Sequence, residues 1–168
     1  MDDQVDELVR RLGLSPHPEG GFYREIYRSE VQIDHPGIPD GRERRRRAGT
    51  LIYFLLAEGH FSAFHRVRCS DEIWHLYAGG PLELHIIDTA GARGSRTLTT
   101  DVFSGEPTAV VDAGCWQAAR LAPGAKWALA GCTVSPGFEF DDFDMPPREK
   151  LLREHPSHAE IIRELTRA

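Results

Sequence analysis

Short β-type segments separated by turn residues recur through the middle of this chain and limit the folds that it can adopt. Residues 61–69 alternate, so that His65 and Val67 share one face of a strand with Phe61. Residues 50–56 (TLIYFLL) are apolar on both faces, which predicts a strand buried on both sides. The other predicted strands cover residues 22–31, 72–78, 81–88, 97–103, 109–113, 115–121 and 127–134. This series predicts an all-β sandwich or closed barrel rather than alternating strands and helices.

Helical patterns lie at both ends of the chain. Residues 2–12 carry their apolar side chains at helical spacing. Near the C-terminus, residues 148–154 predict a short helix. Residues 157–167 predict a second one, with Ser157 as its N-cap and Glu160 three residues later completing a capping box.

The length and composition fit one ordinary globular domain. The chain has 168 residues, of which 40% are hydrophobic and 27% charged, and it contains no internal repeat or linker. We therefore predict a single domain over residues 1–168. Its barrel occupies residues of about 20–145, between helical tails at 2–12 and 148–167.

The charge of the chain argues against nucleic acid and anionic membranes as partners. The net charge is −6, which repels both. The basic run RERRRR at residues 42–47 is the local exception. It falls within residues 34–49, which are rich in proline, glycine and arginine and predict a long, exposed, solvated loop.

The cysteines and the N-terminus bear on localisation. Cys69, Cys115 and Cys132 form no CxxC motif, and an odd number of cysteines fits a reducing compartment. The N-terminal residues lack the basic and apolar regions of a signal peptide, and no apolar run reaches membrane-spanning length. We expect a cytoplasmic protein.

The stretch GHFSAFHRVRCSDEIWHLYAG carries the strongest motif. Gly59, His65, Glu72 and Gly79 occur in it at fixed spacing. The pattern predicts two adjacent antiparallel strands whose His65 and Glu72 side chains face one interior. This stretch resembles the first cupin motif, with Val67 at the position of its second histidine.

A second segment, residues 105–117, resembles the second cupin motif. Gly114 corresponds to the glycine of its Pro-x-Gly element, Asp112 replaces the proline, and Gln117 takes the place of the third histidine. More closely, the chain resembles the cupin-5 subgroup, whose function is unassigned, in PHPEGGFYRE, TLIYFLL, SAFHRVRCSDEIWHLYAGGPLELHII, AGCWQAA and WALAGCTVSPGFEFDDF. The resemblance implies a jelly-roll barrel, also called a double-stranded β-helix, with one pocket and commonly a homodimer. It does not imply a particular reaction.

The resemblance makes His65, Glu72 and Gln117 the candidate metal ligands. Imidazole and carboxylate groups ligate metals, but Val67 cannot, and the amide oxygen of Gln117 is a weak neutral donor. This incomplete set predicts either no cofactor or a single weakly held divalent metal.

The same residues could instead catalyse proton transfer without a metal. His65 is the preferred catalytic residue because its proton moves near neutral pH, and Glu72 would orient it or a substrate hydroxyl. Trp74 shares the strand face of Glu72, whereas His75 has the opposite parity. Trp116 and Gln117 cannot both face inward without a bulge, which favours Gln117. The substrate-binding candidates are Tyr23, Trp74, His75, Trp116, Gln117 and Phe138.

The leading hypothesis is a homodimeric protein that binds a small polar metabolite in its barrel. If it is an enzyme, we expect a metal-independent sugar or sugar-nucleotide isomerase or epimerase. Two alternatives stay open: a ligand-binding module without catalysis, and a metal-dependent lyase or dioxygenase with a degenerate site. Residues 135–145 hold aromatic and acidic residues, predicting a lid or buried strap whose acids face water.

Overall fold

Two β-sheets that face each other form the centre of the computed structural model, which describes residues 3–35 and 45–167. Its strands within those residues are β1 (Ser15–Pro16), β2 (Phe22–Arg28), β3 (Gln32–Asp34), β4 (Arg45–Arg47), β5 (Thr50–Ala57), β6 (Phe61–Val67), β7 (Asp71–Gly79), β8 (Leu82–Ile87), β9 (Arg93–Leu98), β10 (Thr108–Val111), β11 (Trp116–Leu121), β12 (Trp127–Ser135) and β13 (Phe143–Asp144). Its helices are α1 (Asp3–Leu12), α2 (Arg148–Glu154) and α3 (Ala159–Glu164), with 3-10 turns at Phe140–Asp142 and Pro156–His158. In this part of the chain, no helix combines the length and the apolar character needed to cross a membrane.

The strand order makes this a jelly roll. Among the described residues, the larger sheet has the order β1-β2-β5-β12-β7-β10, the smaller sheet has the order β13-β6-β11-β8-β9, and β3 pairs with β4 alone. Consecutive strands such as β5 and β6 lie in different sheets, so the chain crosses repeatedly between the two layers. The predicted all-β jelly roll with short terminal helices is confirmed.

Three apolar clusters hold these layers together. Between the sheets, alternating inner-face side chains meet, and the ring of Phe54 packs edge-on against Trp74 with centroids 5.5 Å apart. The C-terminal helices cover the outer face of the smaller sheet through a second cluster. Helix α1 packs on part of the outer face of the larger sheet, where Val5 joins Leu55 in the third cluster.

The stretch that was predicted to be a hairpin is not one. Strands β6 and β7 follow each other in the chain, but β6 pairs with β11 and β13, whereas β7 pairs with β12 and β10. His65 and Glu72 therefore lie on opposite sheets rather than on neighbouring antiparallel strands. Period-two patterning correctly places Glu72 and Trp74 inward, but it does not reveal which strands pair. It also fails for Phe61, which was predicted to share the face of His65 and instead packs in the cluster on the outer face, because β6 contains a bulge.

The loop predicted at residues 34–49 is wrong at both ends. Strands β3 and β4 pair there as a small separate ribbon. Arg46, from the basic run, is buried in an ion pair, with its Nε 2.8 Å from Asp142 Oδ2. The acid at 142 consequently does not face water as expected. The rest of the loop and of the basic run, residues 36–44, lies outside the described residues.

Two further boundaries differ from the predictions. The predicted strand at 97–103 is displaced to β9, because Asp88 Oδ1 accepts the N–H groups of Ala90 and Ala92 and closes a turn before Arg93. Ser157 is not an N-cap. The turn Pro156–His158 includes it, and α3 starts one residue after His158 without a side-chain cap.

Candidate functional site

A cavity of about 290 Å³ opens between the two sheets. This volume is at the low end of small-molecule sites, so one small ligand fits it. Inner-face residues of both sheets, the loop between β1 and β2, and the segment after β12 form its wall. The polar side chains that line the cavity include His17, Glu19, Tyr23, His65 and Glu72.

Glu19 and His65 form a buried pair. Glu19 Oε2 lies 3.2 Å from His65 Nε2, and the two side chains are 7% and 2% exposed. Ser62 Oγ donates a hydrogen bond to the other carboxyl oxygen, Glu19 Oε1, at 2.9 Å. Two residues of β6, Ala63 and Phe64, oppose one residue of β11, Ala118, and this β-bulge lets Ser62 and His65 both reach Glu19.

A hydrogen bond of His65 fixes which ring nitrogen carries a hydrogen. His65 Nδ1 lies 2.8 Å from the carbonyl oxygen of Ala63, which can only accept, so Nδ1 carries a hydrogen. Nε2 of the neutral ring then directs a lone pair at Glu19. The nitrogen with that lone pair lies 3.2 Å from Glu19 Oε2, within reach of a proton carried by the carboxyl.

Burial sets the protonation states of Glu19 and His65. Removal from water raises the pKa of Glu19 from 4.5 to about 8. Burial also lowers the pKa of His65, although the charge of Glu72 acts in the opposite direction. Both shifts favour the uncharged forms. Near neutral pH the Glu19 carboxyl is therefore protonated, and it lies beside the uncharged ring of His65.

His17 and Tyr23 present hydrogen-bond donors to the same cavity. The backbone N–H of Glu19 donates to His17 Nδ1 at 3.3 Å, so the neutral ring carries its hydrogen on Nε2. Burial lowers the pKa of His17 to about 4, which keeps the ring neutral. Neither His17 Nε2 nor the Tyr23 hydroxyl has a hydrogen-bond partner among the described residues, and both side chains line the cavity.

A chain of hydrogen bonds orients Glu72. Trp74 Nε1 donates to Gln117 Oε1 at 2.8 Å, and Gln117 Nε2 donates to Glu72 Oε2 at 2.6 Å. An indole N–H can only donate, so it fixes which way the Gln117 amide points. The nearby thiol of Cys132 acts to lower the pKa of Glu72. Burial raises the pKa of Cys132 well above its usual value, so it remains a thiol. Burial likewise raises the pKa of Glu72.

These residues do not fit a cupin metal centre. Val67 has no donor atom, and Gln117 turns its N–H group rather than its oxygen toward Glu72. Within residues 3–35 and 45–167, no group of three His, Cys, Asp or Glu side chains is arranged to hold one ion. The prediction of a weakly held divalent metal at His65, Glu72 and Gln117 is for elemental analysis to test, and no step below passes through a metal.

The structure brings together some of the predicted site residues and separates others. His65, Glu72, Tyr23 and Phe138 line the cavity. Gln117 lies behind Glu72 and reaches the site only through it.

Three tryptophan and histidine candidates lie elsewhere. Trp74 is on the inner face, as its parity predicts, but it belongs to the core beside the cavity. His75 is on the outer face, where its Nε2 lies 3.2 Å from Thr133 Oγ1. Trp116 also points outward, into the cluster under the C-terminal helices and against the guanidinium of Arg66, 4.2 Å from the ring centroid. None of the three is among the residues that line the described cavity.

Sequence reasoning missed His17 and Glu19. They lie in the segment PHPEGGFYRE, within a stretch that reads as loop, so no strand parity marks them. The available signal was the pair of glycines that follows. Gly20 has φ of 119°, and a Cβ there would come within 2.1 Å of the Phe61 carbonyl oxygen. That close approach brings Glu19 against β6.

The mouth of the cavity is lined by aromatic rings and by an arginine that forms ion pairs with two glutamates. Phe138, Phe140 and Phe143 pack against one another, with the ring of Phe143 also stacked 5.4 Å from that of His65. Arg28 contacts Glu139 at 2.8 Å and Glu25 at 2.8 Å. The mouth therefore offers a ligand aromatic surface and a guanidinium that two carboxylates already pair.

Comparison with known proteins gives the family. The model of the family Cupin_5, described as Cupin superfamily (DUF985), matches residues 6–146. The chain belongs to this Cupin_5 family. A Shewanella oneidensis protein of known crystal structure is 38% identical, with 96% of each chain covered and a TM-score of 0.85. A hypothetical protein from Leishmania major is 32% identical, with 97% of this chain and 98% of that one covered and a TM-score of 0.87.

More distant structures share the Cupin_5 chain's fold alone. The R92A mutant of Bacillus subtilis oxalate decarboxylase is 14% identical, with a TM-score of 0.53 over 89% of this chain and 36% of that chain. No functionally curated protein matches the chain. The family is thus established, and any activity has to be argued from the cavity itself.

Proposed function

We propose that this protein binds a small uncharged polar metabolite in the cavity and transfers a proton at a carbon next to the metabolite's carbonyl group. The reaction class is a metal-independent isomerase or epimerase acting on a sugar-like compound. The observation that carries the proposal is the Glu19–His65 pair, whose carboxyl oxygen and ring nitrogen lie 3.2 Å apart inside a ligand-sized cavity.

The pair has the properties that general acid–base catalysis requires. A catalytic acid or base works best when its pKa lies near the working pH, and burial brings Glu19 to about 8. When Glu19 gives up its proton, the hydrogen bond from Ser62 stabilises the carboxylate that is left. Ordinary buried carboxyl groups that only stabilise a fold are usually ionised and paired with a cation, as Asp142 is with Arg46.

The charges of the cavity support an uncharged substrate. Arg28 is the cation among the described lining residues, and its guanidinium is already ion-paired with Glu25 and Glu139. A phosphate or carboxylate would enter a site with two buried glutamates and no unpaired positive partner. Hydroxyl and carbonyl groups suit it better, because Tyr23 and His17 present O–H and N–H donors.

The proposed step uses these donors. Removal of a proton from a carbon next to a carbonyl places negative charge on the carbonyl oxygen. His17 Nε2–H and the Tyr23 hydroxyl supply hydrogen bonds to that oxygen. The buried carboxyl groups take up the proton and return one, which gives an isomer or an epimer of the substrate.

Solvent isotope exchange tests the proposal. The purified protein is incubated in deuterium oxide with individual uncharged aldoses and ketoses, and proton NMR follows the hydrogen next to the carbonyl. We expect enzyme-dependent loss of that signal for at least one sugar, insensitive to added EDTA. Glu19→Gln should slow it by about a hundredfold or more, the size typical of losing a catalytic acid or base.

Matched variants and outcomes separate the alternatives. Glu106→Gln removes an exposed carboxyl outside the cavity lining and should exchange at the wild-type rate. Exchange that survives Glu19→Gln unchanged with both epimers of a sugar pair would overturn the role of the Glu19–His65 pair. Sugars that bind by calorimetry without exchange would favour a ligand-binding module. Exchange that EDTA abolishes and a divalent ion restores would favour metal-dependent chemistry instead.

A further inference from the structure

The acid–base groups of the cavity belong to two different walls. His65 is on β6 of the smaller sheet, and Glu19 is held against it. Glu72 is on β7 and Cys132 on β12, both in the larger sheet. All four side chains line the cavity. Because the sheets face each other, a ligand between them has the Glu19–His65 pair on one side and Glu72 with Cys132 on the other.

The carboxyl groups of the two walls, Glu19 and Glu72, have different hydrogen-bonding neighbours. On the smaller sheet, the lone pair of His65 Nε2 faces the Glu19 carboxyl at 3.2 Å and favours its protonated form, whereas the hydrogen bond from Ser62 favours the ionised form. On the larger sheet, the Gln117 amide donates to Glu72 Oε2 at 2.6 Å. Donors directed at a carboxyl stabilise its ionised form, which can accept a proton. For Glu72 the Gln117 donor opposes the effect of burial, which raises its pKa as it raises that of Glu19. We assign the acid role to Glu19 because a His65 lone pair faces it, and the base role to Glu72.

We propose that the enzyme inverts a single carbon of its substrate, with Glu72 and the Glu19–His65 pair acting on opposite faces of that carbon. This inference rests on the function proposed above and specifies it as epimerisation. A base that served one face only would move a proton between neighbouring carbons and give an aldose–ketose isomer.

The step balances without a further reactant. The C–H bond next to the carbonyl breaks, its proton goes to Glu72, and its electron pair forms the enolate, whose oxygen accepts from Tyr23 or His17. The enolate carbon then takes the proton of Glu19 on its other face, forming the new C–H bond. No electrons are gained or lost. At the end Glu72 is protonated and Glu19 ionised, and the reverse reaction exchanges their roles.

The test follows deuterium during early conversion of sugars that differ at the carbon next to the carbonyl. Each epimer of an uncharged aldose pair, such as glucose and mannose, is supplied separately in deuterium oxide, and mass spectrometry and NMR analyse both product and remaining starting sugar. We expect one deuterium at the inverted carbon of the product and none in the remaining starting sugar.

Single variants should then act on opposite epimers. Glu72→Gln should abolish hydrogen exchange of the epimer whose hydrogen faces β7 and preserve exchange of the other, and Glu19→Gln should do the reverse. Glu72→Asp, which keeps a carboxyl, should slow the same epimer as Glu72→Gln and serves if the glutamine variant folds poorly by circular dichroism.

The failures are distinguishable. A ketose product that retains the original hydrogen, or one variant that stops exchange of both epimers while the other has no effect, would overturn the two-wall inference and leave the proton-transfer function intact. Absence of exchange with every sugar tested would overturn the proposed function itself.

Discussion

Glu19→Gln should change the pH dependence of stability in a defined direction. The folded pKa of Glu19 is about 8 and its ordinary value is 4.5. Between those values the folded protein holds a proton that the unfolded chain has released. Wild-type stability therefore falls as the pH rises through this range. One pH unit corresponds to about 1.4 kcal/mol, so the full displacement amounts to about 5 kcal/mol.

The glutamine variant lacks this loss. Its amide matches protonated glutamate, because its oxygen can accept from Ser62 while its N–H donates to His65. The difference in unfolding free energy, variant minus wild type, should be small near pH 5, rise by about 1.4 kcal/mol per pH unit, and level off above pH 8.

Urea unfolding followed by circular dichroism across this pH range measures the difference. The variant Glu106→Gln, at an exposed glutamate, reports the effect of removing a surface carboxyl. A Glu19→Gln difference that stays constant with pH would refute the reasoning, because it would mean that Glu19 ionises in the folded protein as it does in the unfolded chain.

Three more perturbations address other parts of the structure. Asp142→Ala should lower the unfolding free energy by about 3–5 kcal/mol in urea unfolding, because it removes the buried carboxylate that forms an ion pair with the guanidinium of Arg46. Trp74→Phe should cost about 1 kcal/mol and slow isotope exchange, because Gln117 then loses the donor that fixes its amide. The homodimer stays a prediction, and we expect it to use the outer face of the larger sheet. Val110→Glu, at a residue 55% exposed on that face, should then give monomers in light scattering.

Each of these three predictions would be contradicted by a specific result. A loss below about 1 kcal/mol for Asp142→Ala would show that the ion pair is not buried in solution. Unchanged exchange in Trp74→Phe would mean that Glu72 needs no orientation from Gln117. A Val110→Glu protein with the wild-type mass, whether monomer or dimer, would remove this face as the dimer contact.

Much of the fold follows from the sequence, because the alternation of apolar and polar side chains along a strand indicates which of them are buried. Alternation correctly assigns Glu72 and Trp74 inward and His75 outward. Pairing is different, since it depends on partners far along the chain. We paired β6 with β7 because they are neighbours in the chain, and we therefore did not predict that the chain crosses from one sheet to the other between them. The turn closed by Asp88 likewise moved the start of β9, because one side-chain acceptor outweighed weak strand propensity.

The site was predictable only in part. Motif spacing selects His65 and Glu72, but their partners come from outside the motif. Glu19 reaches His65 from a loop whose course depends on Gly20 and on a bulge in β6, and no periodic pattern encodes either. Trp116 is a residue type that often binds ligands. It lies on the strand face opposite to Gln117, however, and therefore packs under the C-terminal helices.

That a protonated Glu19 carboxyl lies beside an uncharged His65 ring is the central claim, and nitrogen NMR of the His65 ring tests it most directly. Histidine-labelled protein near neutral pH, compared with a His65→Gln sample to assign the signal, reports the protonation of both ring nitrogens. We predict a neutral ring with hydrogen on Nδ1 and an Nε2 that accepts a hydrogen bond. A doubly protonated ring, or hydrogen on Nε2 with Nδ1 bare, would contradict it.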